Sequence, residues 1–221
     1  MSYPISPLIP IFPGSPLDEF IPHDRMKSGS TCNTTVVHHY THNATHVDAP
    51  FHFYDKGLTI DLVPIEDFCY SNPVIIQKKL STGEMISVDD VKSAGDVLNA
   101  ADILLFCTGY YELRADNAEY ANDFPSLSKE AAEYIRTQLL NLKAIAIDTL
   151  SIESGVLGAK LNNIIHRTLL DGDLYKTRPL LIYEDVNIGV ILKKKIERIY
   201  AFPLRLVGLD ASPVSIVAEI K

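Results

Sequence analysis

The sequence of 221 residues contains no tryptophan, only three cysteines and no apolar run that approaches the length of a membrane span. Cys32, Cys69 and Cys107 are odd in number and have no CxxC spacing, which argues against a disulfide framework or a zinc ribbon. A reducing cytoplasm is the expected compartment. Without tryptophan, any aromatic binding surface must come from tyrosine and phenylalanine.

Positive charge is also scarce, since 20 lysine and arginine residues stand against 28 aspartate and glutamate residues and give a formal net charge of −8. A nucleic-acid-binding surface needs a basic stripe. The three lysines at 193–195 form a short run that is better explained as an exposed turn. The first ten residues carry no charged side chain and three prolines, so we expect no secretory signal. Neither nucleic acid nor a membrane is an expected partner.

Apolar and charged residues make up 47% and 22% of the chain, ordinary proportions for a globular protein with one sizeable core. Apolar runs at 103–107, 144–148 and 180–184 indicate strands that are covered on both faces. Helical spacing after Ser128 predicts a helix that leads into the second of these runs. Strands dominate both ends of the chain and alternate with helices in the middle. This pattern predicts a single α/β domain over residues 1–221, with a mixed β-sheet flanked by helices.

Proline is concentrated near the N-terminus, with six prolines in the first thirty residues. Prolines at this density exclude a helix and an interior strand. Residues 1–30 are therefore predicted to form an extended arm that serves as a lid, a sheet edge or a contact to a second subunit. Phe12 and Phe20 are the side chains that such an arm could bury.

Histidine is concentrated in one segment, because five of the seven histidines lie between residues 38 and 52. A packed core does not need such a cluster, whereas a metal site does. We expect His42, His46 and Asp48 to be metal ligands and His52 to be left for catalysis. A single histidine is more often a surface or core residue, but four such groups at spacings of four, two and four residues favour a metal.

The same spacing predicts how the backbone must run. In a straight strand His42 and His46 would stand roughly 13 Å apart, too far to share a cation. A regular helix would turn Asp48 away and would include a proline. We expect a strand end that bends sharply, with the bends at residues 43–44 and 49–50.

A cation held on one loop normally needs ligands from remote strand ends as well. His166 is the only histidine after residue 52, and it can equally be a helix histidine bonded to a backbone carbonyl. Glu184 and Asp148 each close an apolar strand, where a buried carboxylate is costly unless it is paired or metal-bound. Glu184 could instead emerge into water, and Asp148 could instead form a turn.

Residues 42–52 read His-Asn-Ala-Thr-His-Val-Asp-Ala-Pro-Phe-His. This run resembles the His-x-Gly-Thr-His-x-Asp-x-Pro-x-His signature of the cyclase family of metal-dependent hydrolases, of the bacterial kynurenine formamidase type. One fixed position differs, because Ala44 stands where the signature has glycine. An alanine there implies either a bend made at negative φ or a small tolerated strain. Weaker similarities at 5–14, 108–109, 147–149 and 203–206 extend the resemblance over most of the chain.

The resemblance implies a swivelling β/β/α, cyclase-like fold and a divalent metal, usually zinc and in some relatives manganese. By analogy His42, His46 and Asp48 would bind the first ion, and Asp48, His166 and Glu184 would bind a second. One or two ions per subunit are therefore expected. Relatives tend to assemble with the N-terminal arm against a neighbour, which implies a homodimer or a homotetramer.

The implied reaction is hydrolysis of a small amide, either an aryl formamide such as N-formylkynurenine or a cyclic amide as in isatin hydrolysis. A metal-activated water would attack the carbonyl group, and His52 would act as general acid/base. Phe12, Phe53 and Tyr110 are candidate substrate contacts. Two alternatives are a metal-assisted cyclase of polyketide-like substrates and a non-catalytic metal-binding oligomeric module. Structural zinc sites are usually rich in cysteine, and this segment has none.

Overall fold

The structure is a computed structural model and describes residues 1–115 and 117–221. A mixed sheet of eight strands forms its centre. In chain order the strands are β1 Glu19–Asp24, β2 Thr34–His38, β3 His46–Asp48, β4 Cys69–Tyr70, β5 Pro73–Gln77, β6 Met85–Ile86, β7 Ile103–Cys107, β8 Ser126–Leu127, β9 Ala144–Ile147, β10 Leu181–Glu184, β11 Ile196–Pro203 and β12 Ala211–Ile220. The α-helices are α1 Val88–Lys92, α2 Asn117–Tyr120, α3 Lys129–Gln138, α4 Gly155–Gly158 and α5 Ile164–Leu170. Short 3-10 helices cover Met26–Ser28, Pro50–His52, Ile65–Phe68, Gly95–Ala100, Tyr110–Leu113 and Ile188–Ile191.

The large sheet has the order β4-β11-β12-β3-β10-β9-β7-β5. Strands β5, β7, β9 and β10 run parallel, whereas the pairs from β10 through β3 to β4 are antiparallel. The sheet is nearly barrel-shaped, since only two residues separate the edge strands β4 and β5 in the chain. The predicted α/β class with a mixed sheet and flanking helices is confirmed.

Within the described residues no helix has the length and apolar character needed to cross a membrane.

Alternating side chains along the parallel strands divide the core into two layers. Phe106, Ile145 and Ile182 face the helical side and pack with α3 and α5. The intervening residues face a second layer shared with β3, β11 and β12. Because both faces are buried, these strands are continuous apolar runs. Ser128 caps α3 as predicted, since its side chain accepts a hydrogen bond from the Ala131 amide.

The N-terminal arm is extended but more ordered than the prolines alone predict. Strand β1 pairs with β2 in a separate, exposed two-stranded sheet, and Pro22 lies where the pairing shifts register. A helical turn, Met26–Ser28, also occurs, contrary to the expectation of no helix; it lies beyond the last of the six prolines. Phe12 packs against Phe124, with ring centroids 6.2 Å apart, whereas Phe20 remains 39% exposed.

Candidate metal centre

The histidine segment bends twice, as its spacing predicted. The first bend is at Ala44, whose φ of +58° lies in the left-handed region, so the strained alternative is the one that occurs. The Ala44 carbonyl oxygen accepts a hydrogen bond of 2.9 Å from His46 Nδ1 and thereby fixes that ring. The second bend is the turn Pro50–His52, which brings the His52 ring to within 4.2 Å of the His42 ring, centroid to centroid.

Strand pairing gathers four of the predicted ligands at the middle of the sheet. His46 and Asp48 share one face of β3 because strand side chains alternate, and Glu184 of β10 pairs with His46. His46 Nε2 lies 3.3 Å from Asp48 Oδ1 and 3.4 Å from Glu184 Oε2. His42, on the turn before β3, places Nδ1 2.9 Å from the same Asp48 oxygen. Glu184 therefore points into this centre and not into water.

Helix α5 brings His166 to the same centre from the other side. His166 Nε2 lies 3.3 Å from Glu184 Oε1 and 3.8 Å from Asp48 Oδ2. Behind the ring, Glu153 Oε2 accepts hydrogen bonds from His166 Nδ1 at 2.8 Å and from the His166 amide at 3.2 Å. His166 is thus bonded to a carboxylate, and the alternative of a helix histidine bonded to a backbone carbonyl is wrong.

Three buried atoms at this centre have no hydrogen-bond partner among the described residues: His46 Nε2 and both carboxylate oxygens of Asp48. His46 and His166 each use Nδ1–H as a donor to an oxygen, so in the neutral form of each ring Nε2 carries a lone pair. Lone pairs and carboxylate oxygens that face one another in a buried space repel unless protons or a cation lie between them. Imidazole and carboxylate ligands, with the imidazoles oriented from behind by an oxygen, are the donor set of divalent metal sites. The residues therefore fit a divalent cation.

Electrostatics at the centre point the same way. Burial raises the pKa of Asp48, but the charges of His52 and His42 hold that pKa well below its usual range. Burial lowers the pKa of His166, but hydrogen bonds to Glu153 and Glu184 raise it to about 10. In the absence of a cation the centre thus retains protons on its histidines. A metal ion would have to displace these protons, and its binding would release them to solvent.

Ligand atoms of His42, His46 and Asp48 lie within 4.8 Å of one another, as do those of Asp48, His52 and His166. A third group is formed by His42, His52 and Asp210. The first group is the predicted set for the first ion, whereas the second contains His52 where Glu184 was predicted, so the number of ions stays a prediction.

His52 lies at the edge of the centre and contacts a carboxylate that the sequence did not reveal. Asp210 Oδ2 is 3.0 Å from His52 Nδ1 and 2.9 Å from His42 Nε2. Neither Asp210 nor Glu153 was predicted from the sequence as part of the site. Asp210 precedes β12, and its only sequence signal is a turn between two strands. Glu153 stands in a polar loop 13 residues before His166, a spacing without helical or strand periodicity.

Asp148 does not belong to the centre. Its carboxylate accepts hydrogen bonds from the Thr108 amide, the Thr108 hydroxyl and the Gly109 amide, at 2.9, 2.7 and 3.0 Å. It holds the turn after β7 and makes no turn with the hydroxyl residues that follow it in the chain, so neither expectation for Asp148 describes its role.

A pocket of about 330 Å³ opens onto His42, His52, His166 and Glu184. Phe12 and Phe53, two of the three residues predicted to contact substrate, line it together with small or polar residues of the loop around α4. Tyr110 does not line it. This residue is 3% exposed and stacks on Tyr120, with ring centroids 5.8 Å apart, because the turn after Gly109 directs it into a separate aromatic cluster.

Comparison with known proteins adds to this geometry. The profile of the putative cyclase family matches residues 1–154, which include the whole histidine segment. Kynurenine formamidase of Geobacillus thermodenitrificans (strain NG80-2) is 27% identical over 220 residues, covering 93% of this chain and 89% of that protein. Isatin hydrolase A of Labrenzia aggregata, bound to benzyl benzoate, matches with a TM-score of 0.82 at 18% identity, covering 98% of this chain and 91% of that chain. A potential metal-dependent hydrolase with cyclase activity matches with a TM-score of 0.75 at 21% identity, covering 98% and 94%.

Proposed function

This chain belongs to the putative cyclase family, and we propose that it is a metal-dependent hydrolase of small amides. The observation that carries the proposal is the set of buried atoms without partners, His46 Nε2 and the two Asp48 oxygens. They lie behind a pocket that is lined by their neighbours His42, His166 and Glu184. A closed structural site would not adjoin such a pocket, because catalytic metal sites keep one position open to substrate.

The proposed cofactor is zinc, with manganese as the alternative. His42, His46 and Asp48 would hold the first ion, and Asp48, His166 and Glu184 a second where one is present. A divalent cation in this position supplies a Lewis acid for a carbonyl oxygen and lowers the pKa of a water molecule.

His52 is the proposed acid/base. It lines the pocket, and its Nδ1 faces Asp210, so its Nε2 is the nitrogen left for the reaction. In this role Nε2 accepts a proton from the attacking water and returns it to the departing amine nitrogen. Imidazole suits both steps because the neutral ring accepts the proton and the cation so formed returns it.

The proposed substrates are aryl formamides and cyclic amides, the compound classes that the names of the formamidase and isatin hydrolase relatives indicate. Phe12 and Phe53 provide aromatic faces for a ring. No lysine or arginine occurs among the described residues that line the pocket, whereas Glu153 and Glu184 do. Apart from a bound ion and the histidines, the described residues of the pocket therefore offer no cationic side chain to an anionic substrate.

The test is a hydrolysis screen on protein purified without chelator, whose metal content is measured by elemental analysis. Formanilide, isatin and N-formylkynurenine form the panel, and each is assayed after chelation and after zinc or manganese is restored. We expect hydrolysis that disappears with the metal and returns with it. Folded, metal-loaded protein that leaves the whole panel intact would contradict the proposal. A product of unchanged mass from a polyketide-like substrate would favour the cyclase alternative instead.

We further propose assembly into a homodimer or homotetramer through the β1–β2 hairpin. Two-stranded sheets are marginally stable alone, yet this one exposes Phe20, Ile21 and Val37 at 39%, 44% and 55%. Light scattering coupled to size exclusion should give a mass of two or four subunits, and Val37→Lys should lower it. A monomeric wild-type protein at micromolar concentration would refute this part.

A further inference from the structure

One oxygen of Asp210 faces two imidazole rings with different proposed tasks. Asp210 Oδ2 lies 2.9 Å from Nε2 of His42, a proposed ligand, and 3.0 Å from Nδ1 of His52, the proposed acid/base. The carboxylate is one third exposed, with a side-chain exposure of 34%, so both contacts form at the rim of the centre.

The sheet fixes where this carboxylate stands. Strand β12 begins one residue later, and its first residue, Ala211, pairs with Asp48. The Asp210 carbonyl oxygen also accepts a hydrogen bond of 2.8 Å from the Ala49 amide. The backbone of Asp210 is therefore tied to the bend that carries His52, which places the side chain next to that ring.

We propose that Asp210 is a positioning residue that sets the protonated nitrogen of both His42 and His52. A carboxylate can only accept hydrogen bonds, so each nitrogen that faces it must carry the hydrogen. His42 Nδ1 also lies 2.9 Å from a carboxylate oxygen, Asp48 Oδ1, but that oxygen accepts no hydrogen bond from the described residues. The lone pair of His42 is therefore on Nδ1, and the lone pair of His52 is on Nε2. The assignment of protons rests on these contacts alone, whereas its effect on turnover rests on the proposed function.

Loss of the carboxylate should leave the His52 ring without a partner that selects one tautomer. The described residues offer no other carboxylate within ion-pair distance of His52. A neutral histidine without such a partner exchanges between Nδ1–H and Nε2–H forms, and only the first can accept a proton at Nε2.

The test uses Asp210→Asn and, in case that variant folds poorly, Asp210→Glu. The glutamate keeps the carboxylate acceptor on a side chain that is longer by one methylene group. Asp61→Asn is the matched control. Asp61 Oδ1 accepts hydrogen bonds from the Gly208 amide at 2.9 Å and the Thr59 hydroxyl at 2.7 Å, so it supports the same turn without touching either histidine.

The first readout is independent of activity: the ¹⁵N–¹H spectrum of the histidine rings in the zinc-loaded protein, assigned with His52→Ala. We expect His52 as Nδ1–H in the wild type and in Asp61→Asn, and a mixture of tautomers in Asp210→Asn. The second readout is zinc affinity by chelator competition, expected to fall by about 10- to 100-fold in Asp210→Asn. The third is kinetics on formanilide, with kcat lowered by about 10²-fold, KM little changed, and part of the loss recovered in Asp210→Glu.

Each outcome decides the question. An unchanged His52 spectrum in Asp210→Asn, or an equal disturbance in Asp61→Asn, overturns the proposal. Loss of a full equivalent of metal in Asp210→Asn also overturns it, because Asp210 would then be a ligand. If neither the wild-type protein nor any variant hydrolyses an amide, the proposed function is wrong. The spectrum of the histidine rings still tests the role of Asp210 in that case.

Discussion

Glu153 holds His166 through one oxygen, which accepts hydrogen bonds from His166 Nδ1 at 2.8 Å and from the His166 amide at 3.2 Å. The ring is thereby fixed with Nε2 towards Asp48 and Glu184. Glu153 is 3% exposed, so this contact is shielded from water. Carboxylates behind metal-binding histidines fix the tautomer and raise the basicity of the ligand nitrogen.

The first prediction concerns this contact. Glu153→Gln should lower the affinity for the divalent ion by about 10- to 100-fold, because the neutral amide accepts the Nδ1–H bond more weakly. Chelator competition on the purified variants measures the change. Asp123→Asn is the control, since Asp123 bonds to Ser154 in the same loop but does not contact His166. Equal affinities for Glu153→Gln and the wild type would show that His166 does not bind the ion.

The second prediction separates the two roles within the histidine segment. His46→Ala removes a buried nitrogen with no hydrogen-bond partner and should abolish metal retention, as elemental analysis would show. His52→Ala should retain the metal and lower kcat by about 10²- to 10⁴-fold, the usual contribution of general acid–base catalysis. Full turnover by metal-loaded His52→Ala would remove His52 from the mechanism.

The local part of the centre was predictable because its residues are close in sequence. Three ligand candidates and His52 fall within eleven residues, and only a twice-bent backbone can make them converge. His166 was identified as the only histidine after residue 52 and Glu184 as the end of an apolar strand, and the family resemblance implied that both bind a second ion. The apolar runs predicted β7, β9 and β10 for the same local reason, since a strand buried on both faces has no polar positions.

The two carboxylates behind the histidines were not predictable, because each depends on tertiary structure. Asp210 is 168 residues from His42 and reaches it only through the antiparallel pairing of β12 with β3. No periodicity in the sequence encodes that pairing. Tyr110 failed as a substrate contact for a related reason: an aromatic residue after a strand carries no signal for the direction of the turn that follows.

The third prediction concerns the backbone at Ala44. Alanine in the left-handed region is strained, and Ala44→Gly should remove that strain and so stabilise the folded protein by about 1–2 kcal/mol. The greater freedom of glycine in the unfolded chain costs about 0.5–1 kcal/mol, and the loss of one buried methyl group costs about 0.8 kcal/mol. The terms nearly cancel, so Ala44→Gly should change the free energy of unfolding by less than about 1 kcal/mol.

Ala44→Val adds a β-branched side chain at positive φ and should destabilise the protein by more than about 2 kcal/mol. Urea denaturation of both variants measures this, and a well-tolerated valine would contradict the strained bend.

The fourth prediction concerns the ion pair next to Glu184. Asp185 is fully buried, and it accepts hydrogen bonds from Arg114 Nε at 2.8 Å, Arg114 Nη2 at 2.6 Å and the Tyr120 hydroxyl at 2.8 Å. Its carbonyl oxygen accepts the Thr45 hydroxyl at 2.6 Å, which ties the end of β10 to the turn before β3.

Arg114→Met would leave that carboxylate buried without its charge partner and should destabilise the protein by about 3–5 kcal/mol, measured by urea denaturation. The double variant Arg114→Met/Asp185→Asn removes both charges and should recover part of the loss, because the remaining amide needs no counter-ion. If the double variant is as unstable as the single one, the stabilisation comes from the packing of the Arg114 side chain and not from the ion pair. Metal affinity should fall in Arg114→Met as well, since the strand end that Asp185 anchors is the one that positions Glu184.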